Sequence, residues 1–177
     1  SEIYGDEYKP LEWSTDIYQK LVSEWASVVP TIFVSFDHPR HRSTVDQQIE
    51  RANALELPVG SNGKTLLLKP DTQTSKYVNV DAIVMQVGSM TNFAMIGVTE
   101  KEIGGSVLER MVNISRIRDA LTAQDSHIPI HIFGSLDTMS CFLYFLAGAD
   151  VFDGLTWLRF AFRDGDTLYI HQSGILD

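Results

Sequence analysis

The chain is predicted to be an α/β protein of parallel strands joined by helices, and three observations predict it. Short apolar runs alternate with amphipathic segments of helical period about five times along the sequence. Turn residues, chiefly proline, glycine and asparagine, separate the runs. Two of the runs close on an aspartate, in Thr31-Ile-Phe-Val-Ser-Phe-Asp37 and in Gly148-Ala-Asp-Val-Phe-Asp153-Gly154. An acidic side chain at the carboxyl end of a buried strand is where α/β enzymes commonly place chemistry.

The elements follow in order. Trp13 to Ala26 carries a helical pattern, with Ser14 or Thr15 as cap and Ile17, Leu21 and Trp25 recurring along it, and Pro30 stops it. Thr31 to Phe36 reads as a buried strand. Ser43 to Leu55 is helical, with Val45, Ile49 and Ala52 on one face. Gly60 and Asn62-Gly63 mark a turn before a short strand, Thr65 to Leu68, ended by Lys69-Pro70. Val80 to Met90 forms a weaker helix and Phe93 to Val98 a strand. Ser106 to Ala123 is the clearest helix, with Val107, Met111, Ile114, Ile117 and Leu121 spaced for one stripe. Ile128 to Phe133 is a strand, Thr138 to Leu146 an apolar helix, and Val151-Phe152 a short strand. Phe160 to Ile170 reads as a hairpin around Arg163-Asp164-Gly165-Asp166.

Composition narrows the function classes. A chain of 177 residues, 44% hydrophobic and 21% charged, is one globular domain with a real core. The single cysteine, Cys141, leaves no internal disulfide and no multi-cysteine zinc cluster, and a reducing cytoplasm is the expected compartment. No apolar stretch is long enough for a bilayer, and no secretory signal is visible at the acidic amino end. A formal charge of −9 disfavours a broad nucleic-acid surface but leaves room for a local basic patch. His38, His127 and His171 show no metal-ligand spacing. His131, between Ile130 and Ile132, reads as a hydrogen-bonded sheet residue, and Cys141 as an inert packed thiol.

Strand-helix repetition admits two architectures: an open doubly wound sheet, or part of an eight-fold βα barrel. The Gly104-Gly105 pair lacks phosphate-loop spacing. A complete barrel needs about 250 residues, so this chain would hold a portion of one.

Residues 31 to 159 resemble the later part of the barrel of the tRNA-guanine transglycosylase family. Phe33-Val-Ser-Phe-Asp37-His-Pro39 is similar to a family strand ending in Phe-Asp before a proline-bearing loop. Ala94-Met-Ile-Gly97-Val98, followed by Glu100, is similar to its Ala-Ile-Gly-Gly-Leu strand and trailing glutamate. His131-Ile-Phe-Gly134-Ser135, Ala147-Gly-Ala-Asp150-Val-Phe-Asp153 and Arg159 resemble, in order and spacing, its Gly-Val-Gly strand, helix, Gly-Val-Asp-Met-Phe-Asp and downstream arginine.

The resemblance implies a TIM-type barrel and exchange of guanine for a 7-deazaguanine base in tRNA or DNA. It places Asp153 as the nucleophile that captures the sugar as a covalent ester. It makes Asp37 the acceptor for the guanine edge, with Gly97 and Val98 lining the base and Arg159 contacting substrate. Arg40 and Arg42, in the loop after Asp37, could hold backbone phosphates. The family's zinc site and its Asp-Ser-Gly-Gly-Phe-Gln motif have no counterpart, so no cofactor is expected. Residues 1–177 then form a single α/β domain, the later part of a larger barrel. A fragment of a longer protein, a split subunit completed by a second chain, and a homo-oligomer each fit that reading. A non-catalytic scaffold subunit that keeps the fold, and a small-molecule nucleosidase, are the alternative functions. Asp150 reads as structural.

Overall fold

The computed structural model describes residues 13–25, 29–38, 41–135, 137–154, 160–163 and 166–169, the last two segments as backbone alone. Its helices are α1 (Thr15–Ser23), α2 (Val45–Ala54), α3 (Val80–Gln86), α4 (Val107–Ala123) and α5 (Thr138–Leu146). A 3₁₀ turn, Val87–Met90, extends α3. The strands are β1 (Phe33–Val34), β2 (Lys64–Leu68), β3 (Met95–Thr99), β4 (Ile130–Phe133), β5 (Val151–Phe152), β6 (Phe160–Arg163) and β7 (Asp166–Tyr169).

β1 to β5 form one parallel sheet whose spatial order is the chain order, β1-β2-β3-β4-β5. Every carboxyl end therefore lies on the same rim. α2 packs on α3, α3 on α4 and α4 on α5, as consecutive crossovers of one hand require. β6 and β7 pair antiparallel as a separate two-stranded sheet, as the hairpin pattern predicts.

The strand register sorts side chains into two faces. Leu66 pairs with Ile96 and Ile96 with Ile130; Leu68 pairs with Val98 and Val98 with Ile132. These rows face the helices and are buried with Ile49, Ile83, Ile114, Ile117 and Leu121 in one core. The opposite face carries Thr65, Leu67, Gly97, His131, Phe133 and Val151.

Caps and side-chain clamps fix the helices to the strands. Ser106 accepts from the Glu109 amide while the Glu109 carboxylate accepts from the Gly105 amide, so the start of α4 is closed from both directions. α2 ends without a glycine. Lys64 Nζ supplies its cap instead, donating to the carbonyls of Ala52, Asn53 and Leu55 at 2.6–3.0 Å. Gln48 meets both the amide and the carbonyl of Lys69, tying α2 to the exit of β2. Arg118 donates to the Gly148 and Ile128 carbonyls and to Asp150, whose carboxylate also takes the Ile130 amide at 2.9, 3.1 and, for the last, 2.7 Å. Asp150 is thereby a structural residue, as the sequence suggests.

α1 departs from its predicted packing. Val22 is fully buried, and Tyr18 donates to the Val34 carbonyl. Ile17, Leu21 and Trp25, the recurring apolar positions, are about half exposed. Their spacing is helical, but the helix turns its other side to β1. Val107 likewise sits partly exposed at the start of the α4 stripe, while Ile114, Ile117 and Leu121 are fully buried.

This division is measurable. Ile96→Ala is expected to cost about 2–5 kcal/mol in urea unfolding, through lost burial and a residual cavity. Ile17→Ala is expected to stay within about 0.5 kcal/mol of the parent. Equal losses at the two positions would contradict the assignment of faces.

Candidate functional site

Two groups of polar side chains stand on the carboxyl rim of the sheet. The first gathers where β1, β2 and β3 end. Asp37 accepts from Arg42 at 3.0 Å and lies 3.3 Å from Lys69 Nζ. Lys69 also meets Glu102 at 2.6 Å, and Glu102 accepts from the Thr99 hydroxyl at 2.6 Å. Arg42 and Lys69 are mostly buried, whereas the Asp37 carboxylate is about two-fifths exposed (42%). Two cations and two carboxylates thus form a compact, mutually compensated network.

The second group spans β4 and β5 on the face away from the helices. Asp153 Oδ1 accepts from the Gly134 amide at 2.9 Å, and His131 Nε2 stands 3.6 Å away. Gly134 has φ +78°, a conformation that glycine adopts without strain and that aims its amide at the carboxylate. The Asp153 side chain remains half exposed, without a lysine or arginine partner among the described residues. It combines accessibility with a single fixed oxygen, which is what a nucleophilic or charge-stabilising carboxylate requires.

His131 does not match its sequence reading as a hydrogen-bonded residue. It is 8% exposed and stacks on Phe133 at 3.8 Å between ring centres, and neither ring nitrogen has a hydrogen-bond partner among the described residues. The distance to Asp153 is just beyond hydrogen-bonding range. On the same face, the Thr65 hydroxyl is buried and also has no partner among the described residues. Orphaned buried polar atoms are rare in native proteins and cluster where function needs them. Nothing in the sequence signalled this, since period-2 alternation places His131 on a face without revealing what lies opposite.

Gly97 lies beneath Phe133. A Cβ there would meet the Phe133 ring at 2.4 Å and the Thr65 methyl at 3.1 Å, so the ring rests where other residues carry a side chain. Close approach at Gly97 is therefore real, but its partner in this structure is Phe133. The Val98 side chain is fully buried in the helix-side core, which leaves only its backbone for any ligand contact. Glu100 is held by Arg110 at 2.8 Å and by the Tyr144 hydroxyl at 3.0 Å. Arg40 and Arg159 lie outside the described residues.

Asp37 and Asp153 share the rim but not a contact. They follow β1 and β5, the outer strands of the sheet, and each has its own partners. Sequence placed both at strand ends; the strand order decided how far apart those ends lie.

Burial raises the Cys141 thiol pKa, and its Sγ donates to the Ser135 carbonyl, which fits an unreactive thiol. Among the described residues, no group of three or more His, Cys, Asp or Glu side chains is placed to hold a metal ion, and no helix is long and apolar enough to cross a membrane. Comparisons with protein-family models, with curated proteins and with solved structures find no match.

The orphaned imidazole has a thermodynamic consequence. Burial lowers the His131 pKa from its ordinary 6.5, and the Asp153 carboxylate opposes this only in part. The unfolded chain then binds a proton near that pH that the folded chain resists. Stability is expected to hold above about pH 6.5 and to fall as pH drops below it. His38 contributes in the same direction, through burial and the charges of Arg51 and His41. His131→Phe should flatten the loss of stability measured by urea unfolding between about pH 7 and pH 5. An unchanged slope would show that His131 is not desolvated.

Proposed function

We propose that this chain is part of a base-exchanging transglycosylase that replaces guanine with a 7-deazaguanine base in tRNA or DNA. The observation that carries the reading is Asp153: an accessible carboxylate just after a parallel strand, fixed through one oxygen and, among the described residues, without a lysine or arginine partner. Sequential strand order supports a barrel portion, because a doubly wound sheet reverses its order at a switch point and none of the five strands here does so. In that reading the face bearing Thr65, Gly97, His131 and Asp153 is the barrel interior.

The reaction follows from the groups present. Asp153 attacks the anomeric carbon as the guanine C–N bond breaks, giving an aspartyl ester of the sugar. The displaced guanine leaves with the electron pair and takes up a proton from solvent. The incoming base then attacks the same carbon through its ring nitrogen, gives up that nitrogen's proton to solvent, and releases the carboxylate. Asp37 would accept from the guanine edge, and Arg40, three residues further along the chain, would contact phosphates of the polymer, whereas Arg42 is mostly buried and engaged by Asp37. β1 and β5 each pair with one neighbour among the described strands, and α5 exposes Met139, Phe142, Phe145 and Leu146. Further polypeptide, from the same protein, a second copy or a second chain, would complete the barrel there.

A scaffold role is favoured by a different observation. Phe133 covers Gly97, and both Asp37 oxygens already face cations, so the base pocket is partly filled from within. Trapping separates the two readings. Incubation with guanine-containing tRNA or DNA followed by denaturing electrophoresis is expected to reveal a covalent adduct. Asp153→Asn should abolish it with folding retained. No adduct with either polymer, in the presence of the completing polypeptide, would leave the scaffold.

A further inference from the structure

A cavity of about 260 Å³ lies between α1, the end of β1 and α2, on the flank of the first charge network. Its walls are unusual for this protein. The chain has 23 acidic and 14 basic residues, yet the cavity is lined by Arg42, Arg51, Lys69, His38 and His41, and none of its described lining residues is acidic. Arg42 and Lys69 are already balanced by Asp37 and Glu102. Arg51 is not: Nη1 donates to the His41 carbonyl and to Ser43 Oγ, both at 3.2 Å, and no carboxylate pairs with it among the described residues. Those two bonds hold one edge of the guanidinium and leave the other free to receive an anion.

The rest of the lining is apolar. Phe36, Leu55 and Leu67 supply a wall suited to a ring or short carbon body. The volume is below the ~300–1,000 Å³ of sites for drug-sized molecules, which limits the occupant to a compact one. A guanidinium fork, two imidazoles and the Ser43 hydroxyl offer more donors than a carboxylate can use, and match the several oxygens of a phosphate. Burial first, and then the charges of Arg51 and His41, lower the His38 pKa against the opposing charge of Asp37.

We propose that this cavity binds a compact organic phosphate, with Arg51 as its principal anion contact, independently of any chemistry at Asp153.

The test is calorimetric titration of the full chain with AMP, adenosine and inorganic phosphate. AMP is expected to bind more tightly than either half alone, because it satisfies both the cationic end and the apolar wall. Arg51→Gln should weaken AMP binding about tenfold or more, the effect of losing one charge-assisted contact. Arg116→Gln, which removes a charge on α4 that pairs with Asp81 of α3 and does not line the cavity, should leave it unchanged. Thermal unfolding checks that the variants fold. If Arg51→Gln does not fold, His41→Gln carries the same expectation of severalfold weakening. No AMP binding at about 10 mM, or equal binding by parent and Arg51→Gln, would overturn the proposal. Adenosine binding as well as AMP would overturn the anion assignment.

Discussion

The parallel pairing of β2, β3 and β4 in register is the constraint on which the other features rest. It lines up Leu66, Ile96 and Ile130 in one row and Leu68, Val98 and Ile132 in the next, so that a continuous apolar surface meets the helices. A slip of one residue would send these side chains to the other face and bring Gly97 and His131 against the helices. Because all five strands run in one direction, the same pairing delivers the polar residues that follow each strand to a single rim. Core and candidate site are thus two results of one hydrogen-bond ladder.

The rim divides the labour of compensating charge. At its β1–β3 end, four charged groups neutralise one another, and the mostly buried Arg42 and Lys69 are tolerated because Asp37 and Glu102 stand beside them. At its β4–β5 end, Asp153 is half exposed and accepts from one backbone amide, and among the described residues neither nitrogen of the buried His131 has a partner. A folded chain that leaves an imidazole in this state gives up stability that a phenylalanine would retain. Such local cost is characteristic of sites shaped for chemistry rather than for packing.

The outer elements have a different character. α1 and α5 each turn apolar residues outward, Ile17 and Leu21 on one and Met139, Phe142 and Phe145 on the other. Their inner sides are specific, with Tyr18 on the Val34 carbonyl and the fully buried Tyr144 bonded to Glu100. Both flank outer strands of the sheet, where a strand edge presents unpaired backbone groups unless something covers it. The interior of the sheet is therefore the self-sufficient part of the molecule, and the two flanks are where its surface is most apolar.

The sequence alone determined the α/β class, the run of elements and the parallel direction of the strands, because apolar periodicity and turn residues are local signals read over a few residues. Val45, Ile49 and Ala52 fall on the inner face of α2 as their spacing requires, and Thr138–Leu146 forms α5 at the predicted bounds. That Asp153 directly follows a strand was equally legible, whereas β1 ends at Val34, three residues before Asp37 and short of the predicted Thr31 to Phe36. Only the tertiary structure decided which side of α1 is buried, that Phe133 lies on Gly97, that His131 stands unbonded beside Asp153, and that Arg51 faces a cavity without a carboxylate. Each depends on groups brought together from distant parts of the chain, and no periodicity within one segment records what the neighbouring segment will place against it.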